Sequence, residues 1–274
     1  MRTSRRMAGR PAEAGLQNSY PADSNRESGD EPGERRVIPR SQRVSGSDIG
    51  VIMLDTDLPR PVGDLGNAWT FGFPVHYDFT PGAPVPAVVE RHAEGLLEKF
   101  ITTGTRLLDR GARALATSCG FLAIYQRELA AALPAPVATS SLLQIPMILR
   151  LLMPEQHVAL LTIRGAAIGE PHFRGAGVTG DDIARVRVIG LENTAHLYPV
   201  IVGTKSPLDV GQARAEAVTA CQTAQQRDPS IGAFVLECTN LPPYAQAIRE
   251  GEATACPVWD AVTLVTWLQQ GMNS

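Results

Sequence analysis

Apolar residues along this chain follow two rhythms. Short unbroken runs, such as Ile49-Gly50-Val51-Ile52-Met53-Leu54, suit strands buried on both faces. Longer stretches with apolar residues every three or four positions suit helices packed on a sheet. The first half reads as a strand over 49–54, an extended segment over 70–77 and a helix over 86–110. That helix is marked by Val89, Ala93, Leu96, Leu97, Phe100, Leu107 and Leu108 and stops at Gly111. A strand over 112–118 then ends at Cys119, followed by a helix over 121–133, a short strand over 136–139 and a helix over 141–153.

The second half repeats this order. Strands are expected over 157–163 and 186–191, then a long helix over 207–227 with Ser206 as its cap and Pro207 in its first turn. A strand over 233–237 ends at Cys238, and a helix over 241–250, a strand over 256–258 and a helix over 259–270 close the chain. Cys119 and Cys238 stand 119 positions apart, and so do Tyr125 and Tyr244. Pro136-Val137 and Pro257-Val258 are offset by 121, a drift of two residues in the intervening loop. Matching type, order and spacing over three landmarks points to an internal duplication. Alternating strands and helices imply an α/β fold of two pseudo-symmetric parallel-sheet domains. In such sheets ligands bind beyond the carboxyl ends of the strands. Both cysteines sit at that end of equivalent strands, so facing halves would enclose a cleft with one thiol on each wall.

Composition narrows the picture. At 274 residues and 44% hydrophobic, the chain supports a large packed interior. A net charge of −3, with no basic stripe beyond residue 45, gives no basis for nucleic-acid binding. The apolar run over 142–153 is broken by Gln144, Pro146 and Arg150 and reads as a buried helix, so no membrane span is expected. Residues 1–45 are rich in Arg, Ser, Gly, Pro and Glu, and a disordered tail is expected there. The four cysteines, at 119, 221, 238 and 256, form no C-x-x-C pair, and no histidine stands at metal-ligand spacing. A reduced cytoplasmic protein without a metal is expected; a homo-oligomer is compatible with this composition. The two lysines, Lys99 and Lys205, do not suit a pyridoxal Schiff base, and no G-x-G-x-x-G follows the first strand. No cofactor is expected.

Two opposed thiols suit proton chemistry at a carbon beside a carboxylate, with one as base and the other as acid. Cysteine serves both roles because its pKa of about 8.5 is adjustable, and a helix starting just after each strand is expected to favour the thiolate. A free cysteine is also an ordinary small core residue. Cys221, within a helix, and Cys256, within the last short strand, are assigned to that class.

Ala116-Thr117-Ser118-Cys119-Gly120-Phe121 and Val235-Leu236-Glu237-Cys238-Thr239-Asn240 resemble the aspartate/glutamate/hydantoin racemase superfamily. The resemblance covers roughly residues 47–274. It implies a first domain over 46–150, rejoined by the C-terminal helix over 259–274, and a second over 151–258. It further implies cofactor-independent racemisation or epimerisation of an amino acid or hydantoin-like substrate, with Cys119 and Cys238 as the acid/base pair. The motifs depart from those of amino-acid racemases. Cys119-Gly120-Phe121 replaces Cys-Asn-Thr, Cys238-Thr239-Asn240 replaces Cys-Thr-Glu or Cys-Thr-His, and Leu54-Asp55-Thr56-Asp57 only loosely matches Asp-Ser-Gly. Single-cysteine relatives are malonate decarboxylases or maleate isomerases. A one-cysteine isomerase or lyase is therefore the alternative, with a non-catalytic binding relative as a third.

Further site residues are proposed by position. Thr139 and Ser140 precede a helix and suit a small carboxylate-bearing substrate, or simply a helix cap. Asp55 and Thr56 suit a substrate amine or a turn. Ser118, Gly120 and Thr239 flank the thiols, Asn240 suits substrate binding or capping, and Phe121 suggests a partly apolar wall. The five histidines (76, 92, 157, 172 and 196) are read as structural or surface residues, and the glycine-rich stretch 165–180 as a surface loop rather than a lid.

Overall fold

The computed structural model describes residues 48–203, 207–251 and 256–272. The tail expected over 1–45 lies outside them, as do Lys205 and Ser206. Among the described residues no helix is long and apolar enough to cross a membrane.

Two four-stranded sheets, each wholly parallel, form the frame. The first contains β1 (Ile49–Leu54), β2 (Val75–Thr80), β3 (Ala114–Thr117) and β4 (Val137–Ala138) in the order β2-β1-β3-β4. The second contains β5 (His157–Thr162), β6 (Val186–Gly190), β7 (Ile231–Leu236) and β8 (Val258–Trp259) in the order β6-β5-β7-β8. The same order in both halves agrees with the duplication read from the cysteine and tyrosine spacing. β1, β3 and β7 are buried along their whole length because helices cover both faces, so their sequences need not alternate. In each sheet the order reverses between its two central strands, and the crevice at their carboxyl ends is the usual place for a ligand.

One continuous apolar core runs through both halves. A second lies on the outer face of the first sheet, where Ile49, Val51 and Met53 meet Ala261, Leu264, Val265 and Leu268 of the last helix, Ala261–Gln270. That helix begins at Asp260, whose side chain accepts from Thr263 N–H at 2.8 Å. Gln144 fixes its start, donating to Asp260 C=O (2.9 Å) and accepting from Thr263 Oγ1 (3.0 Å).

Several boundaries differ from expectation. The helix read over 86–110 is two helices, Val85–Val89 and Leu97–Asp109. Between them the chain turns through left-handed conformations at His92 (φ 51°), Ala93 (φ 55°) and Gly95 (φ 73°). Tyr125 hydroxyl holds this turn by donating to Ala93 C=O at 2.9 Å. β2 starts later than the segment expected over 70–77, because residues 68–70 form a 3-10 turn capped by Asn67. The long helix spans Val210–Arg227, and its cap is Asp209, which accepts from Gln212 N–H at 3.0 Å. The stretch 165–180 is more than a loop: helix Glu170–Gly175 packs on the turn after Cys119, so closely that a β-carbon at Gly175 would collide with Ala123 C=O. The apolar run over 142–153 is not wholly buried, since Met147, Leu151 and Met153 face outward. Cys256 precedes β8 rather than lying in it, and Cys221 is fully buried within its helix.

Candidate active site

Cys119 and Cys238 each stand two residues past a central strand, β3 and β7, and both line one cleft of about 380 Å³ including its open mouth. The local geometry is the same at both. Phe121 N–H is directed at the Cys119 sulfur and Asn240 N–H at the Cys238 sulfur, each from two residues ahead. After Cys119 the chain turns at once into a 3-10 helix, and after Cys238 into a tight turn that leads to the 3-10 helix Pro242–Tyr244; both turns expose such N–H groups. A hydroxyl ties the two turns together, Thr239 Oγ1 donating to Ser118 C=O (2.6 Å), and Ser141 Oγ, from the 3-10 helix after β4, donates to Leu236 C=O at the end of β7 (2.8 Å).

The expected sulfur acidity does not appear. Burial pushes both thiols well above the ordinary range, and the carboxyl of Glu237 pushes them further; the N–H donors offset this only in part. Desolvation penalises a thiolate more than two peptide dipoles favour it. Glu237 itself, 1% exposed, is raised by burial to about 7, with Thr162 hydroxyl (2.7 Å from Oε2) pulling the other way. Three mutually repelling acids thus share one buried site and titrate as a coupled set.

Among the described residues lining the cleft, Arg60 is the one cation and Glu237 the one carboxylic acid. Arg60 donates from Nη1 to Asp64 (2.9 Å) and from Nη2 to Thr56 Oγ1 (3.1 Å). Asp64, fully buried, also accepts from Asn240 Nδ2 at 2.6 Å, and Cys238 Sγ lies 3.7 Å from Asn240 Oδ1. Cys238, Asn240, Asp64 and Arg60 are therefore one polar chain. The other walls are mainly apolar and include Leu58, Val85, Val89, Ile163 and Ile201.

Of the residues proposed from sequence, Thr56, Ser118, Gly120, Phe121, Thr239 and Asn240 line the cleft with both cysteines. Asp55, Thr139 and Ser140 do not. Asp55 turns away, accepting from Gly82 N–H at 2.8 Å. Thr139 Oγ1 donates to Gln126 Oε1 (2.7 Å), and Ser140 Oγ caps Leu142 N–H (3.2 Å). Ser118 Oγ accepts Leu54 N–H at 2.9 Å, so its oxygen serves the strand ends. The sequence reading missed Arg60 and Glu237. For Glu237 a signal existed, an acid directly after the fully buried run of β7; Arg60 sits in an irregular loop with none. No cluster of three or more His, Cys, Asp or Glu suited to a metal occurs among the described residues.

Solved structures with this fold include an aspartate racemase homologue from Pyrococcus horikoshii OT3. It is 14% identical, with 83% of this chain and 100% of that chain covered, at a TM-score of 0.52. Glutamate racemase isoform RacE1 from Bacillus anthracis is 16% identical, with 82% of each chain covered, at a TM-score of 0.50. The chain has the fold of the aspartate/glutamate/hydantoin racemase superfamily. No family model matches the sequence. Curated relatives of this racemase-fold chain include dimethylsulfoniopropionate lyase 6 of Emiliania huxleyi (strain CCMP1516), 30% identical over 222 residues, 78% of this chain and 57% of that protein. Dimethylsulfoniopropionate lyase of Durusdinium sp. clade D is 26% identical over 245 residues, 87% of this chain and 80% of that protein. The chain thus spans little more than half the length of the first relative.

Proposed function

We propose that this protein is a lyase that eliminates a sulfide from a β-sulfonio carboxylate of the dimethylsulfoniopropionate kind. The observation that carries this reading is the 30% identity over 222 residues to a lyase of that substrate, against 14% to the aspartate racemase homologue and 16% to the glutamate racemase that share the fold. It corresponds to the one-cysteine lyase alternative weighed from the sequence rather than to amino-acid racemisation.

The cleft is suited to such a substrate. Arg60, steadied by Asp64 and Thr56, offers the carboxylate a charge-assisted partner. The apolar walls accommodate a dialkyl sulfonium, which donates no hydrogen bonds. Cys238 is the base on this reading, because its polar chain leads to Arg60 and the proton to be removed lies one carbon from the carboxylate. The thiolate takes that proton, the electron pair forms the carbon–carbon double bond, and the carbon–sulfur bond breaks. Dimethyl sulfide leaves neutral and acrylate remains. No cofactor enters these steps.

The test is incubation with dimethylsulfoniopropionate and detection of dimethyl sulfide by gas chromatography. Release that is lost on Cys238→Ala supports the reading. The matched N–H donors at both thiols favour a second one, two-base racemisation of a small carboxylate. Deuterium uptake beside the carboxylate of an amino acid or hydantoin, without sulfide release, would establish that instead.

A further inference from the structure

Glu237 is an acid in a place that gives its charge little support. It is 1% exposed, and among the described residues Thr162 hydroxyl is the one donor to its side chain, at Oε2. Oε1 is buried without a hydrogen-bond partner among the described residues and stands against Gly120, at the junction of the two cysteine turns. An unpaired buried carboxylate is costly to ionise, and a glutamine would keep the Thr162 bond without that cost. The titratable groups around it are the two thiols; beyond Cys238 lie Asp64, already bound to Arg60 and Asn240, and Tyr244.

We propose that Glu237 is the proton acceptor that converts a cysteine of this pair to thiolate, its free Oε1 taking the thiol hydrogen. The balance is simple. Glu237 carboxylate plus thiol becomes carboxylic acid plus thiolate, with no change of net charge in the buried site. The thiolate then takes a proton from substrate and is a thiol again. Glu237 then gives up its own proton to solvent, which accounts for the proton that the elimination generates. Glu237 is thus a positioning residue for a proton, acting through the thiols and not on substrate. The inference deepens the lyase reading, yet it concerns the thiols before substrate arrives, so it is tested without turnover.

The experiment is iodoacetamide alkylation of the full chain from pH 5 to 9, with each cysteine followed by peptide mass spectrometry. Cys221 and Cys256 serve as internal references. In the native protein, alkylation of Cys119 or Cys238 should rise with an inflection near 7, where Glu237 titrates, and then level off. In Glu237→Gln the inflection should vanish and the rate at pH 8 should fall about tenfold or more. A neighbour that only repels predicts the reverse, faster alkylation in Glu237→Gln, and that result overturns the proposal. Unchanged profiles overturn it too. Should the variant fail to fold, infrared titration of the native carboxyl before and after alkylation decides: coupling requires its midpoint to move, and an unmoved midpoint refutes it. Lost sulfide release with an intact alkylation pattern would count against the lyase reading alone.

Discussion

A β-carbon on Gly120 would overlap Glu237 Oε1 and stand 2.5 Å from the Glu237 carbonyl oxygen. The turn that carries one thiol therefore rests directly on the residue that precedes the other. Because one obstacle is backbone, it cannot swing aside. Gly120→Ala should cost about 1–3 kcal/mol in urea unfolding through overpacking. It should also reduce turnover more than the stability loss explains, by displacing Glu237, whose carboxyl acts on both thiols. An alanine variant equal to the native protein in both measurements would show that this contact is slack.

The two cysteines separate the two chemical readings. If elimination uses a single base, Cys238→Ala should lower kcat/KM for sulfide release by about 10²–10⁴, the usual worth of a general base. Cys119→Ala should retain a measurable part of the activity. If the protein is a two-base racemase, each substitution alone abolishes interconversion. Parallel assays of both variants on both reactions distinguish these patterns.

Arg60 should govern substrate capture rather than chemistry. Arg60→Lys keeps the charge beside Asp64 but loses the forked geometry that joins Thr56, Asp64 and a carboxylate. KM should rise about tenfold, the worth of one charge-assisted hydrogen bond, with kcat changed much less. Removing the charge altogether strands the buried Asp64, so Arg60→Met should also lower Tm. A kcat defect without a KM change in Arg60→Lys would place this side chain elsewhere in the cycle.

Much of this architecture was legible because its physical causes are local. Fully apolar runs such as 49–54 announce strands covered on both faces, and cysteines at the ends of two such runs announce a cleft. What was not legible depends on contacts between distant segments. His92 and Ala93 carry no local sign of a left-handed turn, which is held by Tyr125 more than thirty residues away. Thr139 and Ser140 follow a strand just as Cys119 does, but β4 is an edge strand away from the crevice and their hydroxyls are taken up by capping and by Gln126. The thiols' raised pKa values reflect a desolvation that exists only once the halves close and that outweighs the N–H donors visible from the turn sequence.

A last expectation concerns acid. His172, 1% exposed, accepts Gly169 N–H at Nδ1 (3.2 Å) and meets the ring of Phe121 edge-on at 5.5 Å; its Nε2 is buried without a partner among the described residues. Burial, and secondarily His92, lower its pKa from 6.5 to about 4. A folded pKa below the unfolded one means this stability is complete above 6.5 and is lost as pH falls through 4, by an amount on the order of 2–3 kcal/mol. Glu237 works in the opposite sense: its folded pKa is raised, so its contribution is complete below 4.5 and is lost as pH rises through 7. Between 4.5 and 6.5 the two slopes oppose each other. Glu237→Gln should therefore steepen the fall of Tm on acidification across that window, and His172→Leu should flatten it. Calorimetric scans at half-unit steps check both signs, and parallel Tm profiles in all three proteins would refute this account. Because Phe121 lines the cleft beside Cys119, acid should reversibly reduce turnover before it unfolds the chain.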